Sequence, residues 1–110
     1  MGKKFEEILE EAVDKGLSII GDVTKEVILY FMGELYGVKK GSIGSDPSRV
    51  HEALVSILGD GARFAEKSIL SALCELIGLE PITVRGKEFL RAIEDARKIY
   101  EERCSSSSGI

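Results

Sequence analysis

The sequence predicts an all-α protein: a compact, bundle-like single domain of five helices. Two observations carry that prediction. Apolar residues recur every three or four positions in five separate stretches, the spacing that lines one face of a helix. Glycines then close most of those stretches where a helix has to stop.

The first helix is expected over about residues 2–15. Phe5, Ile8, Leu9, Ala12 and Val13 form its apolar stripe, and Gly16 its stop. Lys3, Glu6, Glu7, Glu10, Glu11 and Asp14 form the opposite, solvated face. Leu17 to Ile20 leads into a second helix, with Asp22 as its N-cap because a carboxylate accepts the unpaired amide hydrogens of a first turn. Val23, Val27, Ile28, Phe31 and Leu35 recur at helical spacing up to Gly37. Leu29, Tyr30 and Met32 make this helix apolar over more than one face, which predicts the central, most buried element.

The longest irregular piece is Gly37 to Ser45. Asp46 followed by Pro47 opens a third helix, since proline suits the first helical position, where its missing N–H has no partner anyway. That helix carries Val50, Leu54, Ile57 and Leu58 before Gly59. Asp60 is expected to cap a fourth helix, with Ala65, Ile69, Leu73 and Leu76 ahead of a stop at Gly78. Leu79 to Val84, with Pro81, reads as extended chain or turn. The segment 82–104 holds the fifth helix, from about Gly86 to Arg103, with Leu90, Ile93, Ala96 and Tyr100. Residues 1–104 thus make one domain, and the serine-rich 105–110 is expected to be a disordered tail.

A chain of 110 residues buries roughly 65% of the surface its unfolded form exposes, enough for a core without disulfide or metal. The net charge of −4 is spread thinly. Residues 16–80 hold six basic and nine acidic groups, and residues 81–110 hold six and five. No segment has the basic footprint of a nucleic-acid binder, so no nucleic-acid partner is expected. No stretch is long enough to span a membrane, the run from Val27 to Met32 falling far short. The start has no signal-peptide pattern, so a cytoplasmic protein is the expectation. The chain contains no Asn or Gln, and it places Glu11 and Lys15, Glu94 and Lys98, and Arg97 and Glu101 four apart. Both features suit a thermophilic source.

Candidate sites are few. The Gly37–Ser45 loop offers Lys39, Lys40, Ser42 and Ser45 to an anion, but its glycine spacing is not that of a phosphate-binding loop. A flexible solvated loop is the simpler account. His51 is the only histidine; Glu52 is adjacent, Val55 stands at i+4, and only the fold can bring Asp60 or Glu66 to it. The pairs Glu6–Glu7 and Glu10–Glu11 lack the histidines of a di-metal site. Helices three and four resemble a helix-turn-helix in outline, yet the second offers only Arg63 and Lys67 with Glu66, and no amide to read adenine. Tyr30, Phe31, Tyr36 and Phe64 suit an inter-helix pocket or, more simply, the core. Phe89, Leu90, Ile93, Ile99 and Tyr100 spread over a wide arc of helix five, available to the domain or to a second copy as a homodimer. Cys74 reads as a small core residue; Cys104 reads as exposed, and the two have no ligand spacing. No catalytic, cofactor-binding or metal-ligating residue is therefore assigned, and no enzyme is expected.

The stretches GDVTKEVILYFMGELYGV and DPSRVHEALVSILGDGARFAEKSILSALCELIGLE carry a likeness. A helix ends in Leu35-Tyr36-Gly37, a Gly-x-Gly-Ala turn spans Gly59 to Ala62, and Leu76 to Leu79 forms a Leu-Ile-Gly-Leu stop. In these marks the region 17–80 resembles a small archaeal helical family, the Nitrosopumilus output domain family, a domain of unknown function. The resemblance implies a compact helical domain acting as a regulatory output or protein-interaction module, with no catalytic residues to carry over. The first helix and residues 81–110 lie outside it. A non-enzymatic interaction module is thus the leading expectation, and a small-ligand or anion sensor using the 37–45 loop or an inter-helix pocket the alternative.

Overall fold

A computed structural model describes residues 4–108, with side chains described as far as Cys104. It contains five α-helices: α1 (Phe5–Ile20), α2 (Asp22–Tyr36), α3 (Pro47–Leu58), α4 (Ala62–Ile77) and α5 (Phe89–Ser108). Short 3₁₀ turns stand at Ile43–Ser45, Gly59–Gly61 and Pro81–Thr83, and the described residues form no strand.

The centre of the molecule is α1, where the periodicity predicts α2. Gly16 does not stop α1, which runs on to Ile20 and ends at Gly21. The apolar stripe continues through Gly16 and Leu17, and the whole of it is buried. Gly16 lies directly against α4: a Cβ there would fall 2.6 Å from Ile69 Cα and 2.7 Å from Ile69 N. With Ala12 fully buried one turn earlier, this small-residue seam lets the two helices approach closely. A helix apolar all round suits the centre on hydropathy alone, but the closest packing goes to the helix with a narrow, small-residue stripe.

Only Ile28 and Met32 of α2 are buried, so α2 is a peripheral helix laid against α1 and α3. Lys25 ties it to α1 through Asp14 at 3.2 Å, and the Arg49 guanidinium of α3 donates to the Tyr36 carbonyl at 2.8 Å. The proposed N-caps Asp22 and Asp60 make no capping bond: α2 begins at Asp22 itself, and Asp60 lies within the Gly59–Gly61 turn. Asp46 does cap α3, accepting from the Arg49 amide at 3.2 Å with Pro47 in the first turn. Gly37 and Gly78 stop α2 and α4 in the left-handed conformation.

Helix α5 lies across α1, α3 and α4 and closes the core. Phe89, Ala92, Ile93 and Ala96 are buried, and Tyr100 packs on Phe5 with ring centroids 6.0 Å apart. The wide apolar arc of this helix is thus mostly spent on its own domain. The Arg103 guanidinium donates to the Ile77 carbonyl at 2.7 Å, satisfying the end of α4. The helix continues through Ser108, beyond the expected end near Arg103. Extending an existing helix by one residue costs far less than starting one, and serine opposes it weakly. Of the expected disordered tail, Gly109 and Ile110 lie outside the described residues.

Candidate functional site

His51 on α3 and Glu66 on α4 face each other across the Gly59–Gly61 turn. Nδ1 of His51 and Oε2 of Glu66 are 2.5 Å apart, the histidine side chain 40% exposed and the glutamate 13%. The imidazole stacks on Phe89 of α5, with centroids 6.1 Å apart and planes at 24°. Of the two acids that the fold was left to choose between, it selects Glu66. A histidine oriented by a carboxylate is half of a general-base arrangement, which also needs a nucleophile within hydrogen-bond reach. None is bonded to this pair, and the described residues hold no group of three metal-binding side chains. What the pair does is lock α3 to α4 beneath α5.

That lock forms the floor of a broad, half-open cleft of about 1170 Å³ between α3, α4 and the chain entering α5. Leu70, Val84 and Phe89 lie buried beneath it, and Val55, Phe64 and Leu90 stand exposed around it. Arg63, Lys67 and Arg85 on its rim are exposed, and the described residues give none of them an ion-pair partner. Asp60 and Glu88 also border it, while Lys87 is held by Asp95 at 2.6 Å. That ion pair, through the lysine hydrogen bond first, holds the Asp95 carboxyl below its ordinary value.

The Gly37–Ser45 loop is pinned to α1 while Lys39, Lys40, Ser42 and Ser45 stay exposed. The Gly41 amide donates to both carboxylate oxygens of Glu10, at 3.1 and 2.9 Å, so the chain supplies its own anion there. Ile43 and Gly44 are buried on α1, and Gly44 sits so close that an added Cβ would overlap the Glu6 carbonyl oxygen. No side chain fits between these two backbones. The acidic run of α1, expected as a free solvated face, is therefore partly structural. Glu10 holds the loop, Glu7 accepts from the Lys4 amide at 3.1 Å, and Glu6 meets Arg97 at 3.6 Å.

Phe64 lies at the cleft while Tyr30, Phe31 and Tyr36 all lie on α2, so the four do not form one pocket. Tyr36 is half-buried, but Tyr30 is 62% exposed and Phe31 39%, their rings packed edge to face at 5.5 Å. Ile19, Val23, Val27 and Leu35 are exposed with them. This outward stripe from the end of α1 along α2 escapes detection in the sequence, because a helix apolar around its circumference does not reveal which side is covered. Cys74 is buried, and burial pushes its thiol up from the ordinary range; Cys104 is exposed, and no disulfide joins them.

No family model, curated protein or solved structure matches the chain. Among the described residues no helix is long and apolar enough to cross a membrane.

Proposed function

We propose that the chain is a non-enzymatic protein-interaction module, acting in the cytoplasm as a regulatory output domain. One observation carries the reading: α2 turns an uncovered apolar stripe outward, with Val23 79%, Tyr30 62% and Leu35 67% exposed. A solvated helix face is normally charged, and contiguous apolar patches beyond a few hundred Å² mark sites where another surface docks. A partner covering about 400 Å² of apolar surface contributes about 10 kcal/mol before the losses of association, which run to about 4–15 kcal/mol. That balance suits a reversible contact of the kind a regulatory module makes. The resemblance of residues 17–80 to the Nitrosopumilus output domain family agrees with it, since α2 lies within that stretch.

The test is site-specific photo-crosslinking in cells. A photoreactive side chain replaces Tyr30 on the apolar stripe and, in a control protein, the exposed Glu75 of α4. A discrete protein adduct from position 30 alone supports the reading; no adduct, or the same adducts from both positions, overturns it.

The cleft favours a second reading, a small-ligand or anion sensor, because Arg63, Lys67 and Arg85 stand around a floor that joins Leu70, Val84 and Phe89 to the His51–Glu66 pair. The 37–45 loop lends it no support, its Gly41 amide being taken by Glu10. A thermal-shift screen with nucleotides, phosphates and amphipathic carboxylates separates the readings, since a ligand at 100 times its dissociation constant adds about 2.7 kcal/mol of stability.

A further inference from the structure

Two surfaces of this molecule are apolar and uncovered, and their charges differ. The outer face of α2 carries Val23, Val27, Tyr30 and Phe31, and the exposed charges along it are Glu26 and Glu34. The one basic residue of α2, Lys25, is turned inward to Asp14 on α1 and is mostly buried. In helical register Glu34 falls in line with Val23, Val27 and Tyr30, so a partner covering the stripe has to meet a carboxylate near its C-terminal end.

The α4 wall of the cleft has the opposite character. Arg63 and Lys67 are four residues apart on one helix face, flanking Phe64 at 59% exposure, with Leu70 below. The carboxylate nearest them in sequence on that helix, Glu66, is engaged by His51. The described residues leave both cations without an ion-pair partner. An apolar helix bearing a carboxylate in line with its exposed stripe is the complement of this wall, and α2 of another copy, with Glu34 in register with Val23, Val27 and Tyr30, is such a helix.

We propose that the chain self-associates head to tail, the α2 face of one copy seated in the α3–α4–α5 cleft of the next, Glu34 meeting Arg63 and Lys67. The inference rests on the interaction-module reading and names its partner as a second copy. Because two different surfaces meet, the contact is heterologous: each copy retains one free face and one free cleft, and assembly proceeds beyond the dimer unless a ring closes. A symmetric α2–α2 contact instead sets carboxylates of both copies around one apolar strip with no cation on either side. Charge complementarity of this kind acts mostly on specificity and encounter rate, so the contact weakens as salt rises.

The experiment is sedimentation velocity on the full chain from about 10 µM to about 1 mM, the span over which modest interfaces titrate. The wild type is expected to form species larger than a dimer at the upper end and to lose them in high salt. A face variant, Val23→Ser with Tyr30→Ser, and a cleft variant, Arg63→Glu with Lys67→Glu, change only exposed side chains. Each is expected to be monomeric alone, and their equimolar mixture to form a 1:1 dimer and nothing larger, because only one intact face and one intact cleft remain. A third chain, combining Glu34→Lys with Arg63→Glu and Lys67→Glu, is expected to regain self-association, which a misfolded cleft variant does not do. A monomeric wild type overturns the proposal, as does a cleft variant that still dimerises through α2, or a mixture that stays monomeric. If self-association fails while position 30 still crosslinks to a different protein, the module reading stands and this inference alone falls.

Discussion

Replacing Gly16 by alanine tests the packing on which the whole molecule depends. The new Cβ would stand 2.6 Å from Ile69 Cα and 2.7 Å from Ile69 N, against an ordinary contact of at least 3.4 Å. Both obstructing atoms are backbone, so no side-chain rotation relieves them, and α1 and α4 have to separate by the best part of an ångström at that point. A gap of about 0.5–1 Å forfeits a quarter to a half of each dispersion contact along the seam. Leu17, Ile69 and Leu73, all fully buried, lie beside it. Overpacking of this kind costs about 1–3 kcal/mol, occasionally more. Alanine returns up to about 1 kcal/mol of helix propensity, leaving a net loss of up to about 2 kcal/mol. In a domain of this size that lowers the midpoint of thermal unfolding by up to about 15 °C. Urea unfolding followed by circular dichroism measures it, with Gly33→Ala as the internal comparison. Gly33 is also helical, but its added Cβ meets only the Val38 carbonyl oxygen at 3.8 Å, so alanine there is expected to stabilise by about 0.5–1 kcal/mol. A Gly16→Ala protein as stable as Gly33→Ala would refute the close approach.

Three further outcomes are expected. Glu10→Ala removes the acceptor of the Gly41 amide, costing about 1 kcal/mol, and amide hydrogen exchange at Gly41 should accelerate severalfold while the α4 core is unchanged. A maleimide should label one thiol in the folded protein, Cys104, and two in denaturant, because Cys74 is buried with its thiol held protonated; prompt labelling of both in the native state contradicts the burial. The Asp95 carboxyl is held below its usual 3.8, so its contribution to stability is present at neutral pH and is lost as pH falls below that value. The stability difference between wild type and Lys87→Ala should therefore shrink on acidification through that window, and a constant difference would argue that Lys87 acts otherwise than through Asp95.

Much of the architecture is legible in the sequence because its signals are local. Asp46-Pro47, Gly37, Gly59 and Gly78 mark helix ends by backbone chemistry that no tertiary contact has to supply, and all four mark them in the structure. Gly16 misleads for the converse reason. Glycine serves both as a stop and as a site of close approach, and only Ile69, 53 residues away in sequence, decides between them. The burial of α2 is illegible for a related cause: its apolar residues surround the helix, so the covered side is set by where α1 and α3 lie. The His51–Glu66 pair is visible only as one of two options, because it is made by the turn between two helices. The engagement of Gly41 by Glu10 leaves no pattern in the sequence at all, joining residues 31 apart.

The seam between α1 and α4 also bears on how the chain matures during synthesis. Helix α1 finds its closest mate only after α2 and α3 have been added, so much of the stripe from Phe5 to Leu17 waits for α4 even with α2 and the Ile43–Ser45 turn laid against α1. A nascent chain stalled after α3 therefore resembles a client for a chaperone more than a partly finished domain. Arrival of α4, rather than the steady accumulation of turns, supplies the surface on which α1 closes.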